Sequence, residues 1–177
     1  MHMATDFFGL DLSLTSTGYS YGDDTGTISF NASGPERLWL ISKEIESLIN
    51  KYEAKAVIIE GYSFASRNGQ AFSIGELGGV IRLLFWQIGI PYVVVPPTCR
   101  AKFATGKGNA SKNEVISSIS ARTGKIWQNP GADDKCDAWV LQEMGLAYMK
   151  KARFDWPAQN LSSLDKIDWT PLNKKEG

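Results

Sequence analysis

The run Phe7-Phe8-Gly9-Leu10-Asp11-Leu12 sets one carboxylate among five residues that favour the inside of a strand. An ionised Asp buried in such a run is costly unless a positive charge meets it, so a fold that keeps Asp11 must also supply its partner. Two further acidic sites recur in similar settings. Glu60 closes the apolar run Ala56-Val57-Ile58-Ile59, while Asp134 and Asp137 open an apolar, helix-like segment. Neither of the two strand-like runs contains a Lys or Arg. These features predict that Asp11, Glu60, Asp134 and Asp137 converge on divalent metal. A Lys or Arg fixed on Asp11 or Glu60 would count against that reading.

Composition narrows the chemistry. With 177 residues, 43% apolar and 21% charged, the chain fits one domain with a proper core. It has no apolar run long enough to span a bilayer and no basic leader followed by an apolar stretch, so a cytoplasmic location is expected. Cys99 and Cys136 match no metal-knuckle spacing and are read as free thiols. The single histidine, His2, lies ahead of Met3, taken as the natural start. This excludes Ser-His-Asp and Cys-His nucleophiles and nucleases with a His general base, and leaves carboxylate chemistry with a hard metal.

Net charge is zero but unevenly spread. Residues 1–60 hold four basic and nine acidic side chains, whereas residues 98–125 hold Arg100, Lys102, Lys107, Lys112, Arg122 and Lys125 against the single acid Glu114. The second stretch is a phosphate-binding face or, on the plainer reading, a solvated surface.

In chain order, Phe7–Leu12, Gly18–Gly22 and Thr27–Asn31 read as three short strands, with Asp23-Asp24-Thr25-Gly26 as the turn between the last two. The bend Ser13–Thr17 puts hydroxyls and amides just past Asp11, at a place where a phosphate can be held. A helix opens at Gly34-Pro35, with Leu38, Ile41, Ile45, Leu48 and Ile49 at 3.6-residue spacing. Ala56–Glu60 is a buried strand parallel to the first. In the loop after it, Tyr62 and Phe64 either stack on or wedge into DNA bases or plug the core edge, and Arg67 contacts phosphate. Gln70–Ile88 is a long apolar helix with Gly75, Gly78 and Gly79 on a smooth patch that faces either its own sheet or a second copy of the chain. Pro91–Pro97 is the fifth strand, stopped by paired prolines, and Ser111-Lys112-Asn113-Glu114 is a capping box for a helix Val115–Arg122. Residues 105–109 match neither a Walker loop nor a dinucleotide fingerprint. A last helix runs from Asp133 to about Lys150, with Asp134 and Asp137 three residues apart on one face, their Cβ atoms roughly 5–6 Å apart. The domain is thus 3–150, followed by a tail, 151–177, packed on it or partly flexible.

Without metal, four converging acids repel one another. Mg²⁺ relieves that repulsion, and because it takes only one or two protein carboxylates per ion, four acids suit two ions in phosphodiester hydrolysis.

Gly9-Leu10-Asp11-Leu12-Ser13 leading into Thr17-Gly18-Tyr19, then Ile58-Ile59-Glu60, Thr105–Lys112 and Asp134-Lys135-Cys136-Asp137-Ala138, resemble, in that order, the RuvC-type Holliday junction resolvases, in their divergent phage-like form. The resemblance implies an α/β, RNase H-like fold: a five-stranded mixed sheet, three antiparallel then two parallel strands, flanked by helices. It also implies Mg²⁺-dependent cutting of four-way DNA junctions in recombination and repair, with Mn²⁺ as a substitute, by a homodimer in the cytoplasm, or in the host cytoplasm if phage-encoded. Carried over by position, Asp11 bridges both ions, Glu60 and Asp137 hold one each, Asp134 is the fourth acid, and Lys102 and Lys112 lie at the scissile region. The chain departs from the pattern at Leu12-Ser13, where bacterial members carry Pro-Gly, and at Ser63, where an aromatic is expected. The rival expectations are a non-catalytic branched-DNA-binding protein and a ribonuclease of the same fold.

Overall fold

The computed structural model describes residues 5–61 and 70–173, with only the backbone at 70 and 71. Five strands, β1 (Phe7–Asp11), β2 (Thr17–Tyr21), β3 (Asp24–Ile28), β4 (Ala56–Glu60) and β5 (Tyr92–Val95), form one sheet in the order β3-β2-β1-β4-β5. The β1–β2 and β2–β3 pairs are antiparallel, while β1–β4 and β4–β5 are parallel. This is the mixed sheet, three antiparallel then two parallel strands, that the resemblance implies.

The third strand is a correction. The expected turn residues Asp24–Gly26 belong to β3, and the reversal is made by Gly22 and Asp23 alone, with Tyr21 paired to Asp24. A two-residue connection follows the twist of the strands it joins. Gly26, opposite Tyr19, is covered by the Tyr19 ring, so a residue that reads as a turn former is spent inside the ladder.

Side chains alternate across β1 and β4, which divides the core in two. Phe8, Leu10, Val57 and Ile59 pack against Ile41 and Ile45 of α1 (Gly34–Tyr52) and Leu77 and Ile81 of α2 (Gln70–Ile88). On the other face Phe7 and Ile58 meet Trp139, Val140 and Met144 of α5 (Ala132–Tyr148). That face also carries α3 (Pro97–Thr105) and α4 (Lys112–Thr123), the latter opened by the capping box, in which Ser111 and Glu114 each bond the other's backbone amide.

Helix α3 is the second correction, because the sequence reading places no helix between the fifth strand and the capping box at Ser111. Pro97 lies in the helix's first turn, where a missing N–H costs nothing, and Cys99, Phe103 and Ala104 bury one face. Pro96-Pro97 therefore ends a strand and starts a helix.

Residues 151–173 lie over this second face through two short helices, α6 (Ala158–Leu161) and α7 (Thr170–Asn173), and a 3-10 turn at Ser162–Lys166. Trp156 packs on Phe103 with ring centroids 4.3 Å apart, and Trp169 stacks on Tyr148 at 4.4 Å. Arg153 reaches back to pair with Glu143, a carboxylate with 0% side-chain exposure.

Candidate active site

Parallel pairing of Leu10 with Ile59 sets Asp11 and Glu60 side by side at the C-terminal ends of β1 and β4. Gly9 and Ile58 face α5, so two residues on, Asp11 and Glu60 point to that same side. Helix α5 reaches them because the sheet beneath it lacks side chains at two places. A Cβ at Gly9 would overlap the Ala138 carbonyl oxygen, and one at Gly18, the partner of Asp11, would overlap that of Asp134. The first turns of α5, with Asp134 and Asp137, are thereby pressed against the end of β1.

The electrostatics agree with this geometry. Burial raises the Asp11 carboxyl well above the ordinary carboxylate range, and the charges of Glu60, Asp137 and Asp134 add to it, with Arg100 opposing. Burial likewise pushes Asp137 from an ordinary 3.8 up to about 7, against the pull of Arg100 and with the repulsion of Glu60. Asp134 accepts a 2.6 Å hydrogen bond from the Ser16 hydroxyl. The bend after Asp11 is otherwise closed on itself, with Ser13 Oγ taking the amides of Thr15 and Ser16, and Thr17 Oγ1 donating to the Ser13 carbonyl at 2.6 Å. Its hydroxyls thus serve the loop and Asp134 rather than standing free for a phosphate.

Arg100, expected on a DNA-facing surface, projects from α3 into the acids. Its Nε donates to Glu60 Oε2 and its Nη1 to Asp137 Oδ1 at 2.6 Å. Glu60 therefore has a fixed basic partner from outside the two strand runs, the outcome that counts against the metal reading of the sequence. The reason is distance along the chain: Arg100 lies 40 residues beyond Glu60, on a helix the sequence did not reveal. Its two hydrogen bonds go to two of the four acids, and among the described residues Asp11 and Asp134 have no cation bonded to them. The signal for α3 was present in Pro97 at a helix start and in Cys99 and Phe103 four apart.

Lys112 Nζ bonds Asp133 Oδ2 at 2.6 Å and feels the charges of Asp134 and Asp137, which places it at the rim of the site. Lys102 lies on α3 and Lys107 just past it, and among the described residues neither side chain forms an ion pair. Tyr62, Phe64 and Arg67 lie outside the described residues.

The donor set is all carboxylate, which suits a hard divalent ion. Among the described residues no three acidic, His or Cys side chains are gathered closely enough to hold an ion as they stand, and Arg100 bonds both Glu60 and Asp137. What fits a hard divalent ion is the chemistry of these donors, four carboxyl groups at one edge of the sheet, rather than their spacing as it stands.

The family model for crossover junction endodeoxyribonuclease RuvC matches residues 8–142. A protein of Prochlorococcus marinus (strain NATL2A) described by that name is 28% identical over 153 residues, 80% of this chain and 97% of its own. One from Desulfitobacterium hafniense (strain DSM 10664 / DCB-2) is 31% identical over 107 residues, 60% of this chain and 64% of its own. Among solved structures, Thermus thermophilus RuvC in complex with Holliday junction substrate aligns with a TM-score of 0.65 and 21% identity, covering 84% of this chain and 98% of that one.

Proposed function

Since the chain belongs to the crossover junction endodeoxyribonuclease RuvC family, we propose that it resolves four-way DNA junctions by metal-dependent phosphodiester hydrolysis at the acidic edge of its sheet. The observation that carries this is the meeting of Asp11, Glu60, Asp134 and Asp137, from two strands and one helix, beside a basic α3–α4 segment. These four carboxylates would hold two Mg²⁺ ions, with Mn²⁺ as a substitute. When bound, such ions supply Lewis-acid polarisation of the scissile phosphate and of the attacking water.

The chain's own side chains account for the rest. Ser16 orients Asp134 by its hydrogen bond, so that the carboxylate keeps one geometry through the reaction. Lys112, at the rim, meets the incoming phosphate as a point charge. Lys102 and Lys107, free of ion pairs among the described residues, contact the flanking strand. Phe72, Leu83 and Trp86 of α2, 83%, 53% and 78% exposed, support a homodimer across that helix, which would present two such sites to a symmetric junction.

The test is an end-labelled synthetic junction incubated with the protein in Mg²⁺ and in chelator, alongside competing flap, RNA–DNA hybrid and plain duplex. Symmetric nicks in the junction, only in Mg²⁺, are expected. Equal junction binding with no cutting in either condition would make this a non-catalytic binding protein. Preferential cutting of the hybrid would make it a ribonuclease of the same fold.

A further inference from the structure

We propose that Arg100 is a built-in counter-cation of the acid site, bridging Glu60 and Asp137 in the metal-free protein and leaving them as a divalent ion binds. The inference rests on the metal-site reading above and adds a competitor to it. Arg100 spends its fork on two carboxylates from different elements rather than on one. Nε takes Glu60 of β4 and Nη1 takes Asp137 of α5. The three side chains are 13%, 17% and 9% exposed, so little water screens the bridge. Nε and Nη1 therefore hold two of the carboxylate oxygens that the proposed ions require.

Release of the two acids would be a movement of the Arg100 side chain with its helix held. Cys99, Phe103 and Ala104 anchor that helix in the core, so its backbone is expected to stay in place. The charge around it favours exchange. Lys112 is committed to Asp133, and among the described residues Arg100 is the one cation bonded to any of the four acids. One guanidinium bonds only two of the four acids, and a doubly charged ion can meet more of them. A site that must first shed a bound guanidinium takes up metal more weakly, by the fraction of molecules in which the guanidinium has already left.

The experiment is calorimetric titration of Mn²⁺ into the intact wild-type protein, Arg100→Gln and Arg100→Lys. Arg100→Gln is expected to take the first ion about tenfold more tightly than wild type. Arg100→Lys, which keeps the charge without the fork, is expected to fall nearer to Arg100→Gln than to wild type. In wild type alone, the Arg100 Nε–H resonance should shift on adding Mg²⁺, a readout that does not depend on a variant folding. Mn²⁺ affinity equal in wild type and Arg100→Gln, or an Arg100 resonance that stays put while Mg²⁺ binds, would overturn the proposal and leave the metal site intact. No Mn²⁺ uptake by any of the three would overturn the metal reading itself, and this inference with it.

Discussion

Gly9 lies directly beneath Ala138, so close that a methyl group on its Cα would overlap the Ala138 carbonyl oxygen. Gly18 stands in the same relation to Asp134. Both contacts are to helix backbone, which cannot swing aside as a side chain can. Gly9→Ala is therefore expected to lift the start of α5 from the sheet, costing about 1–3 kcal/mol of stability. It should also cut junction cleavage more sharply than the stability loss accounts for, because Asp134 and Asp137 move with the helix. Urea unfolding and cleavage rates below the unfolding midpoint check both parts; unchanged values in both would mean that α5 does not depend on this contact.

Asp11 is the most crowded of the four acids, raised by burial and by three like charges. Asp11→Asn is expected to abolish cleavage while leaving metal-free stability and junction binding equal or improved, since it removes repulsion from the fold. Millimolar Mg²⁺ should then raise the melting temperature of wild type more than that of Asp11→Asn, by mass action on the folded state. Equal shifts in the two proteins would speak against metal at this residue.

Asp137 predicts a pH dependence with a definite sign. Its carboxyl is raised in the fold from 3.8 to about 7, chiefly by burial, so the folded chain holds a proton that the unfolded chain has released. That proton stabilises the fold fully below 3.8, and the contribution fades as pH rises through about 7. The shift at Asp11 acts in the same direction. In chelator, the melting temperature of wild type should fall more steeply from about pH 5 to about pH 8 than that of Asp137→Asn, which has nothing to titrate there. Parallel curves would contradict it.

The pair Arg153–Glu143 ties residues beyond α5 to the hairpin of β2 and β3. Arg153 bonds Glu143, the Gly22 carbonyl at 3.2 Å and Asp23 at 3.2 Å, while the Glu143 side chain is wholly buried. Arg153→Ala leaves that carboxylate uncompensated and is expected to cost about 3–5 kcal/mol. The double change Glu143→Leu with Arg153→Leu should recover most of the loss, because no charge is then left buried. Chemical denaturation of wild type, Arg153→Ala and the double variant decides it; a double variant no more stable than Arg153→Ala would show that the buried charge is not the source of the cost.

What could be read directly from the sequence was whatever local pattern carries. The apolar runs of Phe7–Asp11 and Ala56–Glu60, the 3.6-residue stripe of α1, and the Ser111-Glu114 box each concern residues within a few turns of one another, so burial and capping chemistry alone set them. The acids followed, because a carboxylate at the end of an apolar strand needs an explanation even before its partner is known.

The partners themselves were decided only in three dimensions. Ser16 meets Asp134 across 118 residues, and Arg100 meets Asp137 across 37 and Glu60 across 40. No periodicity encodes such pairings. They depend on the register of β1 against β4, which sets two acids side by side, and on Gly9 and Gly18, whose missing side chains let α5 settle onto the sheet. Charge interactions reach only a few ångströms at full strength, so which cation meets which acid is settled by backbone packing and not by composition.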